Sequence, residues 1–347
     1  MPYKNTDPAI PNPANASLGI QDVSIPGRIR QWGGLVHINW NYWIRRRTVV
    51  PYAPYRLWIE PTNRCNLTCV MCPNRNFGKD ALGRMDFRLY RKVIDEASGF
   101  VHDVNLHHRG EPTLHEQLPD MIRYAKAAGV RVKLHTNATT LTPRLAETLI
   151  ESGLDLISFS FDGYSAETYE AVRRGSRFEE TRNRIHGFLE LKKGKGSRRP
   201  KTVIEVMELR PGHVRSHEKE EFIRGMKSRG LDRFIVKRPH NWGGELALDA
   251  PATDRFSPCT FPWHALVVLW DGRTGPCPHD FFGRIALGDA NGQGLRELFN
   301  GTEMQRLRAR MMERSFNAQQ APCRSCDSIR RKRLLGIPME SLKYLNE

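Results

Sequence analysis

The sequence lacks any apolar run long enough to span a bilayer, and its first residues lack the basic-then-apolar pattern of a secretory signal. Both absences favour a cytoplasmic location, where disulfides are rare. The seven cysteines in this chain of 347 residues are therefore expected to bind metal or to act in catalysis. At 39% hydrophobic and 27% charged residues, the composition is that of a globular protein.

The chain also lacks a DNA- or RNA-binding signature, although its formal net charge is +16. The basic residues are spread along the chain in short clusters. Their excess fits either an anionic partner or an ordinary solvated surface. We expect no nucleic-acid partner and no transmembrane segment. The aromatic and basic stretch at 28–50 is expected to pack on the neighbouring domain, or else to bind a membrane surface or a partner.

From residue 56 onward, strand-like and helix-like segments alternate six times. The predicted strands cover 56–60, 103–108, 130–136, 154–162, 202–209 and 233–238. The alternation predicts parallel βαβ units and hence an α/β fold, a partial (β/α)6 TIM-like barrel with functional groups at the carboxyl ends of its strands. The pattern changes near residue 250. We predict an N-terminal extension at 1–50, the barrel at 51–250 and a small C-terminal α+β metal-cluster domain at 251–347.

Three cysteines follow the first predicted strand, in the segment RCNLTCVMCPNR at 64–75. Thiolates bind zinc or iron–sulfur clusters. A structural zinc site would need a fourth ligand, such as a distant histidine. A [4Fe–4S] cluster on Cys65, Cys69 and Cys72 alone would keep one iron open for a substrate or cofactor. Their position at the active face of a predicted barrel favours the cluster.

The C-x3-C-x2-C spacing after a first barrel strand resembles the radical SAM superfamily. In that family the open iron binds the amino and carboxylate groups of S-adenosylmethionine, and an electron from the cluster cleaves this cofactor to a 5′-deoxyadenosyl radical. The resemblance extends over about 57–245, through RGEPTLH at 109–115, HTNATTL at 135–141 and SFSFDGYSAETYEAVRRG at 158–175. In the second of these segments, Ala138 stands where glycine is common.

The resemblance implies a set of cofactor contacts. The GEP segment would face the methionyl amino group, a carbonyl before the last cysteine would contact adenine, and the end of the third strand would complete this side of the site. The residues at these positions are Met71, Gly110, Glu111, Pro112, Thr136 and Asn137.

The fourth strand carries a second set of implied contacts. Ser158, Ser160 and Asp162 alternate and therefore share one face of the strand. Asp162 or the serines would hold the ribose hydroxyls, and Arg173 or Arg174 would pair with the cofactor carboxylate. The residues also fit plainer roles, because small serines pack well and arginines are common on exposed faces.

The other four cysteines, Cys259, Cys277, Cys323 and Cys326, lie in the C-terminal region. Four thiols suit either a structural zinc ion or a fully ligated [4Fe–4S] cluster. The region resembles the SPASM/twitch domain of radical SAM enzymes, including a Cys-x-x-Pro-Trp motif and an Asp-Gly pair. This resemblance implies one auxiliary cluster, so the expected cofactors are two [4Fe–4S] clusters and S-adenosylmethionine.

The two sites together use all seven cysteines, so no thiol remains to donate a hydrogen atom to a substrate radical. This count weighs against an epimerase and favours net oxidation, with decarboxylation or dehydration as the alternatives. The resemblance implies a small polar substrate, such as a sugar, an aminocyclitol or a nucleoside, and a role in antibiotic or other natural-product biosynthesis. Members of this kind include 2-deoxy-scyllo-inosamine dehydrogenase and cytosylglucuronate decarboxylase.

Two other functions stay open. One is peptide modification, although the stretch before the first strand is short and irregular for a leader-binding domain. The other is a basic, nucleic-acid- or membrane-associated protein whose cysteines bind structural zinc.

If the chain is a radical SAM enzyme, the expected electron donor is a reduced flavodoxin or ferredoxin-type protein, since the basic chain would attract an acidic protein.

Candidate substrate residues lie at the ends of the second, fifth and sixth strands. Their polar side chains could bind hydroxyls or transfer protons, and each also fits a loop or surface role. They are His107, His108, Arg109, Glu205, Arg210, Lys237, His240, Asn241, Trp242 and Glu245.

Overall fold

The structure, a computed structural model, describes residues 40–209, 216–247, 256, 259–316, 321–330, 333–334 and 337–338. Predictions that concern residues 1–39 or Arg210 lie outside these residues. Trp40–Ile44 forms a short π-helical turn. Within the described part of the chain, no helix is both long and apolar enough to cross a membrane.

Nine strands form one sheet in the spatial order β6-β5-β4-β3-β2-β1-β7-β8-β9. The first six pair in parallel with their chain neighbours, which confirms the predicted α/β class and its partial barrel. The strands are β1 Arg56–Ile59, β2 Asp103–Leu106, β3 Arg131–Thr136, β4 Leu156–Ser160, β5 Lys201–Met207, β6 Arg233–Lys237, β7 Ala265–Val268, β8 Arg273–Gly275 and β9 Gly288–Asp289, with β10 Arg333–Leu334 and β11 Ile337–Pro338 as a separate pair.

The C-terminal region begins on the barrel's own sheet. Strand β7 pairs in parallel with β1, and β8 and β9 then add antiparallel to it. The predicted boundary near residue 250 therefore falls before a strand that extends the barrel. This arrangement attaches the C-terminal region to the first barrel strand.

Helices cover the outer face of the sheet, and their ends follow local capping rules. Thr142 accepts a hydrogen bond from the backbone N–H of Leu145 (3.2 Å) ahead of Pro143, and Ser165 forms a capping box with Thr168. The helices are α1 Phe87–Ala97, α2 Leu118–Ala127, α3 Pro143–Glu151, α4 Ala166–Val172, α5 Phe178–Gly194, α6 Ser216–Ser228, α7 Leu295–Asn300, α8 Thr302–Glu313 and α9 Ala321–Ser325.

The link between β4 and β5 contains two helices, where the sequence predicted one. The second, α5, is the longer of the two, with 17 residues against 7. Its apolar stripe is interrupted by charged residues and by Gly187, so the 3.6-residue period is weak in the sequence. Packing of Ile185 and Phe188 into the core stabilises the helix nevertheless.

Alternation along the strands separates an apolar outer face from a polar interior. In β3, Val132 and Leu134 belong to the hydrophobic core, while Lys133 and His135 lie on the opposite face. Lys133 contacts Asp103 of the neighbouring strand across that face, with 3.2 Å between Nζ and Oδ2. A polar barrel interior requires hydrogen-bond partners, which a polar ligand can supply.

A buried ion pair joins the first two strands at their carboxyl ends. Arg109 donates from Nε and Nη2 to the two carboxylate oxygens of Glu60, each at 2.6 Å, and both side chains are almost fully buried. The Glu60 carboxylate also accepts a hydrogen bond from the backbone N–H of Trp270, just after β7 (3.2 Å). Arg109, a candidate substrate contact from the sequence, is thus held within the protein.

Glu60→Gln is expected to lower the free energy of unfolding by about 3–5 kcal/mol, because it leaves a buried guanidinium without its counter-charge. Chemical denaturation of anaerobically purified protein measures the loss. The matched control is Glu116→Gln, which removes the exposed pair with Arg84 (3.1 Å) and should change stability by less than about 1 kcal/mol. Similar losses in the two variants would contradict the expectation.

Candidate active site

The cysteine loop is fixed against the end of α4. The backbone N–H groups of Thr68 and Val70 donate to the carbonyls of Arg174 and Val172, each at 3.0 Å. These bonds place Cys65, Cys69 and Cys72 together at the carboxyl ends of the barrel strands, where the sequence predicted the active face.

The three thiols form a donor set that fits a metal cluster. Burial raises the pKa of Cys65 to about 12 and that of Cys72 to about 11, and it also raises the pKa of Cys69. The neighbouring cysteines raise the pKa of Cys65 further, because three thiolates repel one another in a buried space. A cationic iron centre removes this cost and binds the thiolate form.

Glu111 organises the loops around this site from a fully buried position. Its carboxylate accepts hydrogen bonds from the hydroxyls of Thr113 (2.6 Å) and Thr136 (2.7 Å) and from the backbone N–H of Asn137 (2.7 Å). Burial raises its pKa above the usual value. Glu111 thereby joins the ends of β2 and β3, and both neighbouring predicted contacts, Thr136 and Asn137, lie beside it.

Gly110 allows the β2 loop to reach the cysteine loop. A Cβ at this position would lie 2.4 Å from the carbonyl oxygen of Thr62 and 2.5 Å from that of Arg64. Only glycine therefore fits between the two backbones. Ala138, where the family commonly has glycine, has a positive φ of 60°, so this turn keeps the left-handed conformation without glycine.

Asp162 and Arg173 form an ion pair beside Cys69, with 2.7 Å between Oδ2 and Nη2. Burial disfavours the charged guanidinium, but the Asp162 carboxylate outweighs this effect and raises the pKa of Arg173. Among the described residues, Nε of Arg173 and the hydroxyl of Ser158 are buried without a hydrogen-bond partner. These two groups are therefore available to a polar ligand. Ser160 is partly exposed at the end of the same strand.

A second polar group lies inside the barrel and is named here the inner polar cluster: His107, His135, Glu205 and Lys237. Glu205 pairs with Lys237 and lies 3.6 Å from Nδ1 of His135, and the rings of His107 and His135 stack at 4.0 Å. Burial lowers the pKa of both histidines well below the usual value, so both are neutral. His135 was missed from the sequence, although its alternation with Lys133 along β3 was a usable signal.

The four C-terminal cysteines line one cavity together with apolar side chains such as Pro262, Leu307 and Met311. Burial raises the pKa of Cys326 to about 12 and raises the pKa values of Cys277 and Cys323 well above normal. The cavity therefore supplies four sulfur ligands within an apolar wall. This donor set fits a cluster whose irons are all bound by protein.

Residues 240–245, named here the β6 exit loop, connect the two cysteine sites. Trp242 donates from Nε1 to the carbonyl of Met71 (3.1 Å), which the sequence assigned to adenine. Asn241 donates to the carbonyl of Ser325 (2.6 Å), between the last two cysteines. Gly244 has φ +100°, and a Cβ there would lie 2.6 Å from Cβ of Ser325. Glu245 pairs with Arg284 of the C-terminal region.

Trp242→Phe is expected to weaken S-adenosylmethionine binding about 2- to 10-fold, because it removes a hydrogen bond worth roughly 0.5–1.5 kcal/mol from a carbonyl beside the cofactor. Isothermal titration under anaerobic conditions measures this affinity. The matched control is Trp263→Phe, whose indole also donates to a backbone carbonyl, that of Arg47 (2.9 Å), away from the cysteine loop. An equal loss of affinity in the control would contradict the role given to Trp242.

Comparison with known families agrees with both cysteine sites. Residues 59–198 match the radical SAM superfamily, and residues 259–327 match the iron–sulfur cluster-binding SPASM domain. The chain therefore contains a radical SAM domain at 59–198 and a SPASM domain at 259–327, and these domains imply [4Fe–4S] clusters and S-adenosylmethionine as its cofactors.

Curated relatives match over limited stretches. A tungsten-containing aldehyde ferredoxin oxidoreductase cofactor-modifying protein of Pyrococcus furiosus is 29% identical over 52% of this chain and 50% of its own length. An AdoMet-dependent heme synthase of Methanosarcina barkeri is 34% identical over 35% of each chain. A mycofactocin maturase of Mycobacterium tuberculosis is 35% identical over 37% of this chain and 32% of its own. The chain thus matches half or less of each relative's length.

Solved structures share the fold at low identity. BtrN in complex with AdoMet and 2-DOIA has a TM-score of 0.54 and 18% identity, and the match covers 84% of this chain and 97% of BtrN. Streptococcus suis SuiB bound to its precursor peptide SuiA has a TM-score of 0.62 and 14% identity, over 91% of this chain and 78% of SuiB. These similarities extend the shared fold across both domains.

Proposed function

We propose that this enzyme removes a hydrogen atom from a carbon of a small polar, carbohydrate-like substrate and that the net reaction is oxidation of a hydroxyl to a carbonyl. The substrate class is a sugar, an aminocyclitol or a nucleoside of natural-product biosynthesis. The observation that carries the proposal is the inner polar cluster, because its hydrogen-bonding groups gather on the polar inner face of the barrel. An apolar substrate would leave the buried Nδ1 of His107 without a hydrogen-bond partner among the described residues.

Oxidation of a carbinol carbon removes one hydrogen atom, one proton and one electron. Cys65, Cys69 and Cys72 would hold the cluster that binds S-adenosylmethionine, which would supply the acceptor for the hydrogen atom, and the four C-terminal cysteines would hold a second cluster that could accept the electron. The protein must supply the proton acceptor. His107 is proposed for this role, because its Nδ1 is buried without a partner among the described residues.

The other members of the inner polar cluster are proposed to orient the substrate. Lys237 donates to Glu205, and this pair presents donors and acceptors to a hydroxyl of the ligand. The buried hydroxyl of Ser158 and the Nε of Arg173 would bind the cofactor's ribose and carboxylate, as the resemblance implies. A fixed substrate and cofactor keep the reacting carbon near the cofactor's 5′ carbon and keep water out.

The test is anaerobic incubation with S-adenosylmethionine, a reductant and a panel of polyols, aminocyclitols, nucleosides and sugar acids. A substrate should yield 5′-deoxyadenosine together with a product two hydrogens lighter. Deuterium at the attacked carbon should appear in 5′-deoxyadenosine. His107→Ala should slow product formation while the affinity for S-adenosylmethionine changes little. His186→Ala on α5 should change neither the rate nor the affinity. A panel in which no polar small molecule stimulates cleavage would contradict the proposal.

Decarboxylation or dehydration of a sugar acid or nucleoside is the second outcome within the same substrate class. Product masses separate the three reactions, since carbon dioxide or water is lost in place of two hydrogens.

Reduced flavodoxin or a ferredoxin-type protein is the proposed electron donor, because the net charge of +16 favours encounter with an acidic partner. High salt should therefore slow reduction by flavodoxin more than reduction by a small uncharged donor.

Peptide modification is a separate candidate, favoured by the similarity to a mycofactocin maturase and to the peptide-bound SuiB. A peptide substrate would need an open path to the barrel interior and recognition of a leader segment. Stimulation of S-adenosylmethionine cleavage by a short precursor peptide, and by no member of the small-molecule panel, would favour this alternative over oxidation of a sugar.

A further inference from the structure

Two imidazoles and a carboxylate meet beside the auxiliary cysteine cavity. The ligand atoms of His240, His279 and Asp327 all lie within 4.8 Å of one another. His279 is buried and the other two side chains are partly buried. The three residues come from separate segments, namely the β6 exit loop, the loop after Cys277 and the turn after Cys326.

Neighbouring hydrogen bonds fix two of these three residues. The hydroxyl of Ser328 lies 2.8 Å from Nδ1 of His279 and holds this ring in place. Metal-bound imidazoles usually have such a partner on the second nitrogen. The backbone N–H of Asp327 donates to Oδ1 of Asn241 (3.0 Å), so the residue next to His240 also positions Asp327.

We propose that His240, His279 and Asp327 bind one divalent transition-metal ion that is separate from both iron–sulfur clusters. Imidazole and carboxylate ligands suit zinc, and zinc also accepts three protein ligands with water in the fourth position. The site would be assembled only when the β6 exit loop is seated on the C-terminal region. The bound ion would then join the barrel to the auxiliary cluster domain.

His279 has a competing assignment, because it also borders the cavity of the four cysteines and its Nδ1 lies 3.9 Å from Sγ of Cys326. The cavity already offers four sulfur ligands, which is the number that a fully ligated [4Fe–4S] cluster takes from protein. A fifth ligand from His279 is therefore unnecessary for the cluster. A cation bound by His279 would also lie favourably close to the negative charge of the four thiolates, because this residue borders their cavity.

The test measures zinc and iron together in the full chain. The protein is reconstituted anaerobically with iron and sulfide, given a small excess of zinc, desalted and analysed by mass spectrometry of metals. The expected contents are about one zinc and about eight iron atoms per chain. His240→Gln and Asp327→Asn should each weaken zinc binding at least about tenfold in chelator competition while iron stays near eight.

The control is His217→Gln, on the exposed surface of α6, which should leave zinc binding unchanged. His279→Gln separates the two assignments, because loss of zinc with iron retained supports the proposal and loss of iron with zinc retained overturns it. Absence of bound zinc in the unaltered protein would overturn the proposal as well, as would full binding by both His240→Gln and Asp327→Asn.

A measurement on the unaltered protein covers the case in which variants misfold. One equivalent of cobalt(II) is added while both clusters are oxidised and diamagnetic, so that any paramagnetic signal comes from cobalt. The proposal predicts a high-spin cobalt spectrum with coupling to two imidazole nitrogens. A spectrum of hydrated cobalt alone would overturn it.

Discussion

Replacing Cys65, Cys69 and Cys72 together by Ala is expected to abolish formation of 5′-deoxyadenosine and to reduce iron from about eight to about four atoms per chain. The three thiols are the ligands that leave one iron open for the cofactor. Liquid chromatography of anaerobic reactions measures the nucleoside, and metal analysis measures the iron.

The triple variant also tests whether the loss is local. Its auxiliary cluster should remain, because the second set of cysteines lies in a separate cavity. Cofactor cleavage should be lost while the thermal unfolding temperature changes little. The backbone hydrogen bonds between the cysteine loop and α4 hold the loop even without the cluster. Undiminished cleavage of S-adenosylmethionine in this variant would refute the cluster assignment.

Much of the barrel was predictable because local rules and long-range packing agree in it. The period-2 alternation of Val132, Lys133, Leu134 and His135 is a strand signal that the parallel sheet uses directly. The Thr142–Pro143 pair begins α3 where capping chemistry requires it. The seven cysteines predicted metal ligands at two places in the chain, and the resemblance to radical SAM and SPASM sequences added the kind of cluster.

Other features depend on contacts between distant parts of the chain and have no local signal. The hydrogen bond from Trp242 to Met71 spans 171 positions, and the pairing of β7 with β1 joins residues that are farther apart still, such as Arg56 and Ala265. From the sequence alone, polar loop residues such as Asn241 and Glu245 fitted substrate contact and structural packing equally well. In the structure these two contact the C-terminal region, at Ser325 and Arg284 respectively.

Removing the last cysteine pair by Cys323→Ala and Cys326→Ala is expected to separate cofactor cleavage from turnover. Iron should fall to about four atoms per chain, while the affinity for S-adenosylmethionine should change by no more than about threefold. Product formation should be lost, because an oxidation needs an electron acceptor after the hydrogen atom has been removed. Isothermal titration gives the affinity, and mass spectrometry gives the product.

The matched control for this pair is the triple variant of the barrel loop, in which cofactor cleavage is lost and the auxiliary cluster remains. The two variants should therefore have equal iron, and neither should form product, but only the pair variant should still cleave S-adenosylmethionine. Since the β6 exit loop connects Met71 to Ser325, a modest change in cofactor affinity in the pair variant is compatible with its geometry. Full product formation with half the iron would instead make the auxiliary cluster irrelevant to the reaction and would remove the main argument for net oxidation.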